Sequence, residues 1–437
     1  MLALRLARGS QSAVQLRRLL VATASAATGF LLLGTLGHAL VHQDSAGGSA
    51  LRLAWCVAPI AATVHFAVTV ARTDPGTRPR PGLSAIGLGP ARLMAVSATT
   101  TALSCTLGSM VALLFFLHLR GDLTGMPFDG DASDFLAASH PLPLPAALTL
   151  LTLVPAAASL SVALTLRPRD TRRRTKGTQA AGSSAAGAAP VPQRDGTPHV
   201  PGSATDPSAP APATPDTPAQ DPDPTPPDPH PLPTPTPTPR DLPWGIAVLA
   251  AGLAVEAYAS RDTHTPGLTI PGGATGSPAA VLAGWTLTAL GLALAGPGLT
   301  HLCGRLLQAV RPGALRLLAG RVLMAESTRI GRPLGVVCAV ASGAYAMAAL
   351  YDADDPSLGP LTALGALVVA GCTVATLLTA AAEARHARAD TTEALLRLGA
   401  PATTLRTAAA LRAGALLALF TPLTFLIAEL AALPLTT

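Results

Sequence analysis

The sequence predicts an all-α, polytopic membrane protein with about nine transmembrane helices. Three observations predict it. Eight apolar stretches are long enough to cross a bilayer, and a ninth, shorter one lies among them. Only 12% of the 437 residues are Asp, Glu, Lys or Arg, roughly half the share in soluble domains. Arginine is also concentrated in every second loop. With 49% hydrophobic residues and a mean hydropathy of +0.44, the chain carries more apolar surface than one soluble core could bury. Helices are expected because lipid satisfies no open backbone group, and no alternating pattern marks a barrel.

In chain order the expected spans are Leu20–Val41, Leu51–Ala71, Leu93–His118, Pro143–Leu166, Pro243–Ser260, Val281–Cys303, Leu334–Tyr351, Leu361–Ala382 and Leu411–Leu433. The first follows Arg5, Arg8, Arg17 and Arg18. Its apolar run exceeds a signal-peptide core, so an uncleaved span is expected. Pro243–Ser260 is the shortest and contains Glu256. The loops Gln43–Ala50 and Asp352–Gly359 read as turns.

The loops set the orientation. With the N-terminus inside, the inner loops hold Arg72, Arg78, Arg80 and Arg92, then Arg167 to Lys176, then Arg305 to Arg332, then Arg385 to Arg412. The outer loops hold Arg52, Arg120 and Arg261, with the acids Asp122, Asp129, Asp131, Asp134, Asp352, Asp354 and Asp355. This follows the positive-inside rule, and it needs Pro243–Ser260 as a span to hold through every loop. Lys176 is the single Lys, and the Arg, Ala, Pro and Gly usage points to a GC-rich bacterial genome and hence a bacterial plasma membrane. The net charge of +6 is spread over short loops with no single basic patch, which excludes nucleic acid as the partner. The lipid bilayer is the partner it implies.

Residues 167–240 differ in character. Nineteen of the 42 prolines lie in 190–240, among Asp-Pro and Thr-Pro repeats. Such a segment buries too little apolar surface to offset its ordering entropy, so a disordered cytoplasmic linker is expected. A Pro-rich docking motif is the sharper alternative.

Short motifs recur at a nearly constant distance. Ala3-Leu4-Arg5-Leu6 returns as Ala314-Leu315-Arg316-Leu317, an offset of 311, and Leu88-Gly89-Pro90 resembles Leu398-Gly399-Ala400-Pro401, an offset of 310. Both copies run in the same in–out sense, which implies a parallel repeat. The expected organisation is a four-span module at 1–166, the linker at 167–240, a two-span hairpin at 241–303 and a three-span module at 304–437. The counterpart of Pro143–Leu166 would start near 453, past Thr437, which places the C-terminus outside.

Glu393-Ala394-Leu395-Leu396-Arg397-Leu398-Gly399-Ala400, after a basic run and before a small-residue span, resembles the signature of the FtsX-like permease family. Gly296-Pro297-Gly298, Arg311-Pro312, Leu317 to Arg321 and Ser327-Thr328-Arg329 are similar to the loop before the second module of such permeases. The layout resembles, in degenerate form, the ten-span permeases that export or sense antimicrobial peptides. The resemblance implies a membrane subunit of an ABC-type transporter, moving a lipophilic or peptide substrate. A separate ATP-binding subunit, holding ATP and Mg, would dock on the cytoplasmic loops. Glu393, Arg397, Gly399, Arg316 and Arg321 would then lie at the coupling surface, with the helix Ala314–Arg329 along the inner membrane surface. In the first-half loop, Leu83 and Gly87 stand where the repeat places Glu393 and Arg397.

The residues themselves allow part of this. Glu393 and Arg397 are four apart and can pair on a helix, and Gly399 before Pro401 can end it. No GxxxxGK[ST], HExxH or GxSxG occurs, so no enzymatic chemistry and no cofactor are expected in this chain. The five cysteines lack CxxC spacing and read as small buried apolar residues; no metal site is expected. Ser and Thr within the spans read as helix-packing contacts. His65, Glu256 and Glu429 are the intramembrane polar candidates. An ion-coupled secondary transporter would use them, whereas a non-transporting scaffold or sensor partner would act through the 167–240 segment.

Overall fold

The computed structural model describes residues 2–44, 46–74, 90–123, 130, 132–133, 136–167, 242–259, 278–309, 313–350, 359–399 and 401–436. The expected linker at 167–240 lies outside them except for Arg167, as does the first-half loop with Leu83 and Gly87. Met1–Pro168 and Pro237–Thr437 together form one compact unit. Every regular element among the described residues is a helix.

Helix α1 runs from Leu2 to Val41, 40 residues and roughly 60 Å. That is about twice the hydrocarbon thickness, so the basic N-terminal stretch continues the first span without a break. Helix α2 (Ala46–Trp55) and α3 (Val57–Thr73) form the second span, interrupted at Cys56. Pro59 has no amide to give the Trp55 carbonyl, which opens the ladder at that point. The expected turn over Gln43–Ala50 is therefore shorter, because helix resumes at Ala46. Helix α4 (Pro90–Arg120) and α5 (Leu144–Thr165) complete the first half.

Helix α6 (Leu242–Ala259) and α7 (Pro278–Ala309) form a hairpin. Helix α8 (Ala314–Leu350), α9 (Pro360–Ala387), the short α10 (Ala389–Arg397) and α11 (Ala402–Thr436) follow. Helices α4, α7 and α9 each open on proline, whose fixed φ suits a first turn and whose missing amide costs nothing there. Among the described residues eight helical stretches are long and apolar enough to cross a membrane, and Leu242–Tyr258 is a shorter apolar helix. Large side chains point away from the protein: Leu103, Leu107 and Phe115 on α4, Leu367 and Leu378 on α9, Leu417 and Leu426 on α11. A water-soluble surface does not carry so continuous an apolar face. The chain is a multi-pass α-helical membrane protein.

Between spans the hydrophobic effect gives little, because lipid is as apolar as leucine; close packing and hydrogen bonds must hold the helices. Both are present. Ser25 Oγ on α1 donates to the Cys105 carbonyl of α4 at 2.9 Å, and Ser109 Oγ on α4 to Leu151 of α5 at 3.1 Å. Thr28 of α1 and Thr63 of α3 share a hydrogen bond at 2.9 Å, and Cys372 of α9 lies 3.9 Å from the Thr63 hydroxyl. Cys338 of α8 meets Thr424 of α11 at 2.9 Å. The span hydroxyls thus act as packing contacts, and all five cysteines are buried and free.

Leu31, Leu32, Phe66, Val154, Val368 and Cys372 build one core across α1, α3, α5 and α9. Leu292, Cys338, Phe420 and Ile427 build another across α7, α8 and α11. Helix α8 lies against α7 through glycines. A Cβ on Gly296 would sit 2.1 Å from the Gly331 carbonyl oxygen, and one on Gly335 would sit 2.3 Å from that of Leu292. Further down, Gly320 faces Gly304 and Gln308. This corrects the expectation of a surface helix over Ala314–Arg329. The stretch is held against α7 and continues the span, with Pro333 inside the helix.

Candidate functional site

The most exposed regular element is α10. None of its nine residues is buried. Its sequence suits a short helix. Asp390 sits in the first turn, where the dipole favours an acid, and Arg397 in the last, where it favours a base. Arg397 Nη2 donates to Glu393 Oε1 at 2.6 Å, which is the pair expected from the spacing. With the side chains 79% and 62% exposed, water screens this pair and it adds little stability.

The helix ends as its residues require. The Leu398 amide bonds to the Ala394 carbonyl and the Gly399 amide to that of Leu396. Gly399 has φ of +86°, and nothing lies within 4 Å of where its Cβ would be. Glycine is needed there for backbone conformation, not for space. Leu398 is 84% exposed, beside the half-exposed Leu396. The α9–α10–α11 connection thus presents a charged pair and two uncovered leucines.

Arg316 and Arg321 stand on a different helix from Glu393 and Arg397. They lie near the start of α8, with Arg321 exposed and Arg316 half-buried. Five residues apart, they project from different sides of the helix.

Beneath α10 lies an ion pair that sequence reasoning missed. Glu326 Oε1 on α8 is 3.0 Å from Arg388 Nε, at the junction of α9 and α10, with side chains only 14% and 28% exposed. The same Nε donates to the Ala384 carbonyl. The first half has a tie of similar kind. Arg18 Nη2 on α1 is 2.7 Å from Asp74 Oδ2 at the end of α3, and Arg17 donates to Thr73 at 3.4 Å. Ser97, Thr100, Thr101 and Ser104 of α4 line a small cleft beside this pair, with room for about one water. A sequence signal existed for both: Glu326 and Asp74 are lone acids in arginine-rich segments.

The intramembrane candidates fall in three separate places. Glu256 is 3% exposed between α6 and α7, where its Oε1 accepts from Thr288 Oγ1 at 3.2 Å and its Oε2 has no partner. A Cβ on Gly284 would lie 2.4 Å from Glu256 Cγ, so the carboxyl depends on that glycine for room. Glu429 is exposed on α11 and accepts from the Tyr345 hydroxyl of α8 at 3.1 Å. His65 is half-buried on α3, within reach of the charges of Arg72 and Arg332. No hydrogen bond links any two of the three. Among the described residues no group of three His, Cys, Asp or Glu side chains could hold a metal ion.

No family model, no curated protein and no solved structure matches this chain.

Proposed function

We propose that the protein is the membrane-spanning subunit of an ABC-type transporter, built as two parallel modules and coupled through α10 to a separate ATP-binding subunit. The observation that carries this reading is α10 itself. It is a helix with no buried residue, fixed at both ends to long spans and closed by a glycine whose φ is positive. An exposed helix joined directly to two spans offers a docked partner a surface from which a push reaches both.

The parallel modules draw support from the element bounds. Helices α1, α2 and α4 begin at Leu2, Ala46 and Pro90, while α8, α9 and α11 begin at Ala314, Pro360 and Ala402, a nearly constant displacement of about 312. In each half the first helix packs on the last, and an ion pair ties the first helix to the end of the second. The charges are reversed: Arg18 with Asp74, but Glu326 with Arg388. Helices α3 and α9 pack together, as equivalent elements of a pseudo-dimer would. On this reading the hairpin α6–α7 belongs to neither module, the arginine-rich ends face the cytoplasm of a bacterial cell, and the substrate is lipophilic or peptidic.

Ion-coupled transport gains no support from the geometry, because His65, Glu256 and Glu429 form no connected path. The test is co-purification of the full-length protein in mild detergent. An ATP-binding protein should accompany the wild type, and Glu393→Ala with Leu398→Ala should lose it. Recovery of no ATP-binding protein, or equal recovery with the double variant, would end the proposal.

A further inference from the structure

We infer that the junction of α8, α9 and α11 holds the phosphate of an anionic phospholipid headgroup. At this junction one carboxylate serves three guanidiniums. Glu326 is paired with Arg388 at 3.0 Å, and the charges of Arg412 on α11 and Arg329 on α8 also act on it. Arg412 in turn feels Arg388 and Glu326. Arg388 has its charge paired by Glu326, and its Nε–H is shared between Glu326 and the Ala384 carbonyl. Among the described residues neither Arg329 nor Arg412 makes a hydrogen bond or an ion pair. Two guanidiniums beside a neutralised pair form a site for an added anion, and phosphate accepts from arginine in the bidentate geometry that guanidinium prefers.

The corresponding junction of α1, α3 and α4 carries a smaller surplus. There Arg18 is matched by Asp74, Arg17 donates to Thr73, and the rest of the lining is hydroxyl and apolar. That junction holds two guanidiniums for one carboxylate, against three for one at the junction of α8, α9 and α11.

Depth favours a lipid over a dissolved anion. Arg412 is the second residue of the apolar run Leu411–Leu433, while Arg388 lies six residues after Ala382 and Glu326 eight before Leu334. At 1.5 Å per residue, all lie within roughly 12 Å of the hydrocarbon edge, where headgroup phosphates sit. Above them α9 and α11 turn Leu378, Val374, Leu367 and Leu417 outward, each more than half exposed. A headgroup on Arg329 and Arg412 could therefore lay its acyl chains against the exposed leucines of α9 or α11, which both pack on α8. A basic pocket between spans at this depth is the usual setting for such lipids. The inference stands on the membrane fold alone and needs no ATPase partner.

The test is native mass spectrometry of the full-length protein, titrated with phosphatidylglycerol against phosphatidylcholine. The wild type should retain phosphatidylglycerol preferentially. Arg412→Gln and Arg329→Gln should each weaken it about five-fold, and the pair about 25-fold. Arg412→Lys should recover most of the binding, and Arg406→Gln, exposed one and a half turns earlier, should leave it unchanged. If Arg412→Gln does not fold, Arg329→Gln, at an exposed position on α8, carries the test. Equal binding by wild type and Gln variants overturns the site. Displacement by inorganic phosphate or ATP at matched concentration reassigns it to a small anion and overturns the lipid. Loss of a co-purifying protein with phosphatidylglycerol binding intact overturns it in favour of a protein contact.

Discussion

Replacing Gly296 by alanine should destabilise the protein, whereas the same change at Gly371 should stabilise it. At Gly296 the new Cβ would lie 2.1 Å from the Gly331 oxygen, 2.9 Å from its carbon and 3.3 Å from the Gly335 amide. Carbon does not approach a carbonyl oxygen closer than about 3.0–3.4 Å, so α7 and α8 must part by about 1 Å. The strain cannot be relieved by a side chain, since every atom it meets is backbone. Parting the helices there also loosens Gly335 against Leu292 and Gly320 against Gly304. Overpacking of this kind costs about 1–3 kcal/mol, or roughly 5- to 150-fold in the ratio of folded to unfolded protein. Gly371 lies mid-helix in α9 with nothing within 4 Å of its Cβ position. Alanine there meets no atom and restricts the unfolded chain, gaining about 0.5–1 kcal/mol. Thermal unfolding in one detergent, read by the loss of monodisperse protein, separates the two. Shifts of the same sign would refute the close approach of α7 and α8.

Other changes test the remaining elements. Glu326→Arg should cost about 1–3 kcal/mol, since it leaves a shielded charge beside Arg388, and Glu326→Arg with Arg388→Glu should restore most of it by unfolding in the same detergent. Gly399→Ala should cost about 1–2 kcal/mol locally and fray α10, seen as faster amide exchange over 389–399 than in the wild type. Glu256→Gln keeps an acceptor for Thr288, so stability should change by less than about 1 kcal/mol and transport should persist; a variant that folds but loses transport would favour ion coupling.

Much of the fold was legible because bilayer thickness imposes a length. Each of the eight strongest apolar runs matches, to within a residue at its ends, part or all of a membrane-length helix or, for the second, a helix pair. Their true ends were less legible. Helix α1 extends back to Leu2 because nothing in its basic stretch breaks a helix, and hydropathy cannot see a helix that leaves the apolar layer. The break at Cys56 had a visible cause in Pro59. The packing of α8 on α7 did not, since glycines such as Gly296 and Gly331 are common in so glycine-rich a chain and name no partner.

The candidate site was readable where its contacts are local. Glu393 with Arg397 and the ending at Gly399 follow from spacings of four residues or fewer. Glu326 with Arg388 joins residues 62 positions apart, and Arg18 with Asp74 joins residues 56 apart, so only the folded chain brings them together. Glu256 shows the converse. It stood out as an intramembrane acid, yet its setting between Thr288 and Gly284 is that of a packing group.

The most direct test is side-specific labelling of single cysteines, in a chain whose five native cysteines have been replaced. Leu398→Cys beyond α10 and Arg92→Cys at the start of α4 should react with an impermeant maleimide only after the cytoplasmic face is opened. Gln43→Cys and Ser139→Cys should react in intact cells. If Leu398→Cys and Arg92→Cys are reached from opposite sides of the membrane, the two halves do not run in the same sense and no partner can push on α10 as proposed.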